Sequence, residues 1–185
     1  QLFPDYGDLF LEQNENNQEV ILDLQLKYPD FALKLNASGL SPTENGWGAG
    51  GPSQNLVDQF ELLDGKSWDD PTSEHYDESN PYANRDERFY ATVMHDQGVY
   101  FGTRVETGQG FDGNGTLIKG IDVDKNNDVT QTGYYMCKAT DIDNPDKEYS
   151  PWDLLPTAGQ NCILMRYAEV LLGYAEAKNE QSGPD

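Results

Sequence analysis

The chain has 185 residues and a formal net charge of −21, from 33 acidic against 12 basic side chains. Such a surface repels phosphate backbones and anionic lipid, so nucleic-acid and membrane-surface binding are disfavoured. Eleven Tyr, seven Phe and three Trp supply apolar surface that disordered chains lack, so eighteen Gly and ten Pro signal turns rather than disorder.

The longest apolar runs are a few residues, too short for a membrane span or a signal peptide. Gln1 is not a natural start, and Ser182-Gly183-Pro184-Asp185 is a helix stop with nothing after it. The chain is therefore expected to be a segment of a longer protein, with any leader upstream. Cys137 and Cys162 form no CxxC pattern and lack a nearby His, so they read as two buried thiols rather than a metal site or a disulfide.

In chain order, Tyr6 to Glu12 predicts a short helix with Leu9 and Phe10 facing inward. Glu19 to Leu26 predicts a strand, because Val20, Leu22, Leu24 and Leu26 alternate with polar residues and would line one buried face. The glycine-rich stretch Asn45 to Pro52 carries Trp47 but lacks the GxxxxGK[ST] pattern, so it is not a nucleotide loop. Ser53 is an N-cap for a helix with Leu56, Val57, Phe60 and Leu63 inward, closed by Asp64-Gly65. A polar loop follows from Lys66 to Pro81, with Trp68 and Tyr76 in it. Asn84 to Phe89 suggests a helical turn. Tyr90 to Met94 and Val99 to Glu106 suggest a hairpin about Asp96-Gln97-Gly98. Thr107 to Gln131 reads as loop, Thr132 to Ala139 as strand, and Asp141 to Ala158 as loop again. Asn161 to Glu180 reads as one long amphipathic helix, with Leu164, Tyr167, Ala168, Leu171, Tyr174 and Ala175 on a core-facing side. The seven-residue echo of Tyr-Ala-Glu at 167 and 174 suits close helix pairing in a helical repeat.

Several of these stretches, taken together and in order, resemble the SusD/RagB family of Bacteroidetes surface glycan-binding lipoproteins. They are Leu2-Phe3-Pro4 to Phe10, Asn14 to Ile21, Gly46-Trp47, Pro52 to Asp58, Asp64-Gly65, Asn80 to Asp86, Arg88 to Thr92, Thr132 to Tyr135, and Arg166 to Leu172 with Asn179-Glu180. The resemblance implies a mainly α fold with extensive irregular loops and a few short antiparallel strands. It makes residues 1–185 the C-terminal part of an α-superhelical, tetratricopeptide-containing protein, and the final helix one wall of a scaffold whose partners lie upstream of Gln1. It implies a cell-surface, outer-membrane location through an upstream lipid anchor, and delivery of oligosaccharide or polysaccharide to a SusC-like TonB-dependent transporter for nutrient uptake. It implies no hydrolytic activity and no cofactor. Cys137, where the family often has Arg, and Cys162, where Pro or an aliphatic is usual, are departures.

A non-catalytic sugar site needs flat aromatic faces and a few polar groups. The loop aromatics Trp47, Trp68, Tyr76, Tyr100 and Phe101 are the candidates. Asp122, Asp124, Asn126 and Asp128 occupy the alternate positions of a calcium loop, but Asn127 replaces its glycine and Gly133 its closing glutamate, so a solvated acidic turn is the plainer reading. Arg85, Asp86 and Arg88 read as an ion-pair network fixing the 80–90 loop. His75 and His95 lack a nucleophile partner. Two other classes are weighed: a glycoside hydrolase or lyase, resting only on the abundance of carboxylates, and a calcium-dependent adhesion module, resting only on the Asp122 loop.

Overall fold

The structure, a computed structural model, describes residues 1–26, 39–44, 46–124, 129–141 and 161–183. Regular elements are short and closely interleaved with turns. Among the described residues the strands are β1 Val20–Leu24, β2 Val93–Met94, β3 Val99–Tyr100, β4 Thr103–Arg104, β5 Gln109–Phe111, β6 Leu117–Lys119, β7 Tyr135–Met136 and β8 Cys162–Arg166. The α-helices are α1 Gln54–Asp58, α2 Glu87–Tyr90, α3 Ile121–Asp124 and α4 Tyr167–Ser182. The strands form four antiparallel ribbons, β1 with β8, β2 with β7, β3 with β4 and β5 with β6.

Two apolar clusters organise the middle of the chain, and the β2–β7 ribbon runs between them. Val93 and Met94 are neighbours in a strand, so their side chains leave on opposite faces. Val93 joins Val57, Phe89 and Tyr134, with Phe60, Tyr82 and Tyr90 packed alongside. Met94 joins Leu40, Tyr100, Phe101, Val105, Tyr135 and Cys137. The Tyr135 hydroxyl donates to the Asp122 carbonyl and accepts from the Thr130 amide, which ties α3 to the second cluster.

Several expectations are met in part. Ser53 caps α1 by accepting from the Leu56 amide, and Val57 is buried. The helix stops at Asp58, however, and Leu56 and Leu63 are exposed. Asp64-Gly65 closes a turn instead, with the Gly65 amide on the Leu62 carbonyl and Gly65 at φ +75°. The N-terminal helix is two 3-10 turns, Asp8–Phe10 and Glu12–Asn14, with Leu9 and Leu11 buried. Cys137 is a buried free thiol and Cys162 a half-buried one.

Other expectations are corrected. The segment from Cys162 to Arg166 is strand, pairing with β1 across about 140 residues of sequence, and the helix begins only at Tyr167. None of the residues of α4 is buried, and Tyr174 and Leu172 are the most open of its large apolar side chains. The β1 face expected to be core is also open, since Leu22 and Leu24 are each more than half exposed. The ribbon carries register shifts around Leu22, which break the clean alternation that the sequence suggests. β2 pairs with β7 and not with the stretch after Gly98, whose own strands β3 and β4 close a tight hairpin through Phe101 and Gly102, both at positive φ. Within the expected 107–131 loop, β5 and β6 form a hairpin about Asp112, whose carboxylate accepts from the Asn114 and Thr116 amides.

Candidate functional site

A cleft of about 620 Å³ opens beside the first apolar cluster, lined by α1, the 66–81 loop and the Tyr82–Arg85 turn. It brings together two of the five candidate aromatics, Trp68 and Tyr76. Gln54, Val57 and Asp58 reach it from one face of α1, as the i, i+3, i+4 spacing requires. Tyr82 and Tyr134 add two further rings, and Asp69, Asp77 and Glu78 line the rim.

The loop bearing Trp68 and Tyr76 is polar yet ordered, because its own side chains close its turns. Asp70 accepts from the Thr72 hydroxyl and amide, and Asp77 does the same from Ser79. Those bonds hold both carboxyls below the usual carboxylate range. Ser73 donates to Asp64 at 2.8 Å, and Lys66 donates to the Thr72 carbonyl at 2.9 Å, closing the loop onto the turn after α1.

Beneath the cleft lies Arg85, with only 1% of its surface exposed. Its Nη2 donates to the Val57 and Phe60 carbonyls, its Nε to Phe60 and its Nη1 to Pro81, at 2.6 to 3.2 Å. The guanidinium therefore bonds carbonyls at and just beyond the C-terminal end of α1, of which Val57 also accepts from the Phe60 amide, and a cation suits that end of a helix. It also lies 4.8 Å from the Phe89 ring centroid and 5.8 Å from that of Trp68. The expected Arg85–Asp86–Arg88 network is thus divided. Arg88 pairs with Asp86 at 2.7 Å, whereas Arg85 turns inward to backbone.

A hydrogen-bond chain links residues that line the cleft. Tyr134 donates to Gln54 Oε1 at 2.8 Å, and Gln54 Nε2 donates to Asp58 Oδ1 at 2.7 Å. The Tyr82 and Tyr134 hydroxyls are 3.2 Å apart, and because the Tyr134 proton is committed to Gln54, Tyr82 is the donor. Burial and the Tyr134 bond push the Tyr82 phenol above the ordinary tyrosine range, so it keeps its proton. The Tyr82 ring stacks on His95 at 4.5 Å and on Phe89 at 6.2 Å, which fixes it in place.

The remaining candidates fall elsewhere. Trp47 does not line the cleft and is 37% exposed. A Cβ on its neighbour Gly46 would collide with the Leu40 carbonyl, so the chain beside Trp47 runs tight against the buried Leu40. Tyr100 and Phe101 are corrected as exposed loop aromatics, since both rings are buried in the second cluster and the Tyr100 hydroxyl is spent on the Val93 carbonyl. Asp122 is fully buried, and its carboxylate accepts from the Thr43 amide and hydroxyl and from the Glu106 amide. Asn126, Asp128 and the side chain of Asp124 lie outside the described residues. Among the described residues no group of three His, Cys, Asp or Glu is placed to hold a metal ion.

A second hollow of about 370 Å³ is lined by Asp5, Asp8, Glu87 and Asp141 with Tyr6 and Tyr90. Lys138 and Arg166 already lie over the Tyr6 ring, at 5.7 and 5.5 Å. The Trp68 cleft is the stronger candidate, because it adds a tryptophan to its tyrosines beside hydrogen-bonding groups. Of the residues lining this cleft, the sequence singles out Trp68 and Tyr76 as candidates, and does not single out Gln54, Asp58, Tyr82, Arg85 or Tyr134 as such. The helical spacing of Gln54 and Asp58 beside buried Val57 was the available signal.

No curated protein matches the chain in sequence. A SusD-like carbohydrate binding protein from Bacteroides fragilis superposes with a TM-score of 0.69 at 26% identity, over 96% of this chain and 33% of its own. A second SusD-like protein from the same organism gives a TM-score of 0.64 at 28% identity, over 96% of this chain and 35% of its own. This chain thus spans about a third of the length of either. The SusD family model matches residues 12–185, nearly the whole sequence, and the chain belongs to the SusD family.

Proposed function

We propose that the protein captures an oligosaccharide or polysaccharide at the cell surface and hands it uncleaved to a SusC-like TonB-dependent transporter. The observation that carries this reading is the Trp68–Tyr76 cleft, which gathers aromatic rings beside a connected set of hydrogen-bonding groups. Aromatic faces suit the C–H faces of pyranose rings, and the Gln54–Asp58 pair suits their hydroxyls. Family membership and the carbohydrate-binding neighbour support the same ligand class. In this reading the chain is the C-terminal part of a longer lipid-anchored protein of the outer membrane. The open faces of α4 and of the β1–β8 ribbon pack there against tetratricopeptide-type helices. Among the described residues no helix is long and apolar enough to cross a membrane.

The test is affinity electrophoresis of the full-length protein through gels containing candidate glycans, with an assay for new reducing ends on the same glycans. Retardation without reducing-end release supports capture. Release of reducing ends would instead support the hydrolase reading, in which the cleft carboxylates act on the substrate.

A further inference from the structure

We infer that the cleft selects against anionic glycans and takes neutral ones, an inference that rests on the glycan-binding reading above. The lining holds the carboxylates Asp58, Asp69, Asp77 and Glu78 against a single basic side chain, Arg85. That guanidinium cannot serve a ligand anion. It is 99% covered, and each of its three nitrogens already donates to a backbone carbonyl of Val57, Phe60 or Pro81.

The direction of the hydrogen-bond chain adds to this. Protons run from Tyr82 to Tyr134, from Tyr134 to Gln54, and from Gln54 to Asp58, so the two phenol protons are consumed inside the protein. The charged groups left in the lining are the carboxylates of Asp58 and of the 66–81 loop, beside the neutral donors of Trp68 and Tyr76. Neutral sugar hydroxyls can donate to such a surface. A uronate or sulfate would bring a second acceptor to an acceptor, and a like charge to a strongly acidic protein of net charge −21. Each carboxylate near a ligand charge contributes only a factor of about two in water. Four together reach about sixteenfold unscreened, which screening cuts to about tenfold at low salt and toward twofold at about 0.5 M salt.

The experiment uses the full-length protein and calorimetric titration. The probes are neutral glucan, mannan, galactan and N-acetylglucosamine oligosaccharides, each beside the same chain oxidised at C6 to the uronate. The expected result is binding of at least one neutral chain, with its oxidised partner about tenfold weaker at 20 mM salt and the gap closing at high salt. The double variant D69N/E78Q is expected to raise affinity for the oxidised chain severalfold. Equal or tighter binding of the oxidised chain by the unmodified protein would overturn the inference while leaving glycan binding intact. Failure of every chain to bind would remove the glycan-binding reading and this inference with it.

Discussion

Replacing Arg85 by Met tests whether the buried guanidinium holds the cleft together. Met matches much of the side-chain volume but donates nothing, so the perturbation is chiefly the loss of four hydrogen bonds to three carbonyls. Val57 keeps the Phe60 amide at 3.2 Å, so the loss falls chiefly on the Phe60 and Pro81 carbonyls. A buried carbonyl deprived of its donor costs about 1–3 kcal/mol, and bonds from a charged donor lie at the upper end. Removing Arg also relieves the cost of burying a cation, so the net expectation is about 3 kcal/mol, a large share of a typical domain's stability. Urea unfolding of the full-length protein, followed by tryptophan fluorescence, reads this as a lower midpoint. Arg85→Lys should recover less than half, because one ammonium cannot reach three carbonyls in a planar fork. A loss below about 1 kcal/mol in the Met variant would refute the reasoning and mean that water satisfies these carbonyls.

Further outcomes follow from the same geometry. Burial between Tyr82 and Phe89 lowers the His95 pKa from its ordinary 6.5, although the bond of Nδ1 to the Asp96 carbonyl opposes this. The folded state therefore prefers the neutral ring, and its contribution is complete above the unfolded pKa and lost as pH falls from there through the folded pKa. The melting temperature should fall between pH 7.5 and 5.5, and His95→Gln should flatten that slope. Burial pushes the Cys137 thiol up to about 12, so it should resist a thiol reagent at pH 8 until urea is added, whereas rapid labelling of the native protein would contradict its placement. Tyr134→Phe removes the donor to Gln54 and should weaken glycan binding severalfold with little change in far-ultraviolet circular dichroism.

How much was legible in the sequence depended on whether the deciding partner was near in the chain. The Ser53 cap and the inward Val57 were readable because cap and helix are adjacent. The helical reading of Cys162 to Arg166 failed because Leu164 falls in register with the true helix after it. The competing interaction is a ladder with Val20 to Leu24, far away in sequence. Arg85 misled for the same reason: neighbouring charges suggested ion pairs, while its carbonyl partners on Val57 and Phe60 lie more than twenty residues upstream. Tyr100 and Phe101 resembled loop aromatics because a tight turn surrounds them, yet that turn carries both rings into the core. The Asp112 hairpin had its turn residues in view, but its strands, Gln-Gly-Phe and Leu-Ile-Lys, are exposed and too short to show an alternating pattern.

We propose the Trp68–Tyr76 cleft as the place where this SusD family member meets its glycan. The most direct measurement is calorimetric titration of the full-length protein and its Trp68→Ala variant with a neutral glycan that the protein retains in affinity gels. An aromatic anchor of this kind is worth about 2 kcal/mol or more, so the variant should bind about thirtyfold more weakly, with its unfolding midpoint little changed. Binding by the variant at the affinity of the unmodified protein would contradict the account and place the sugar elsewhere on the surface.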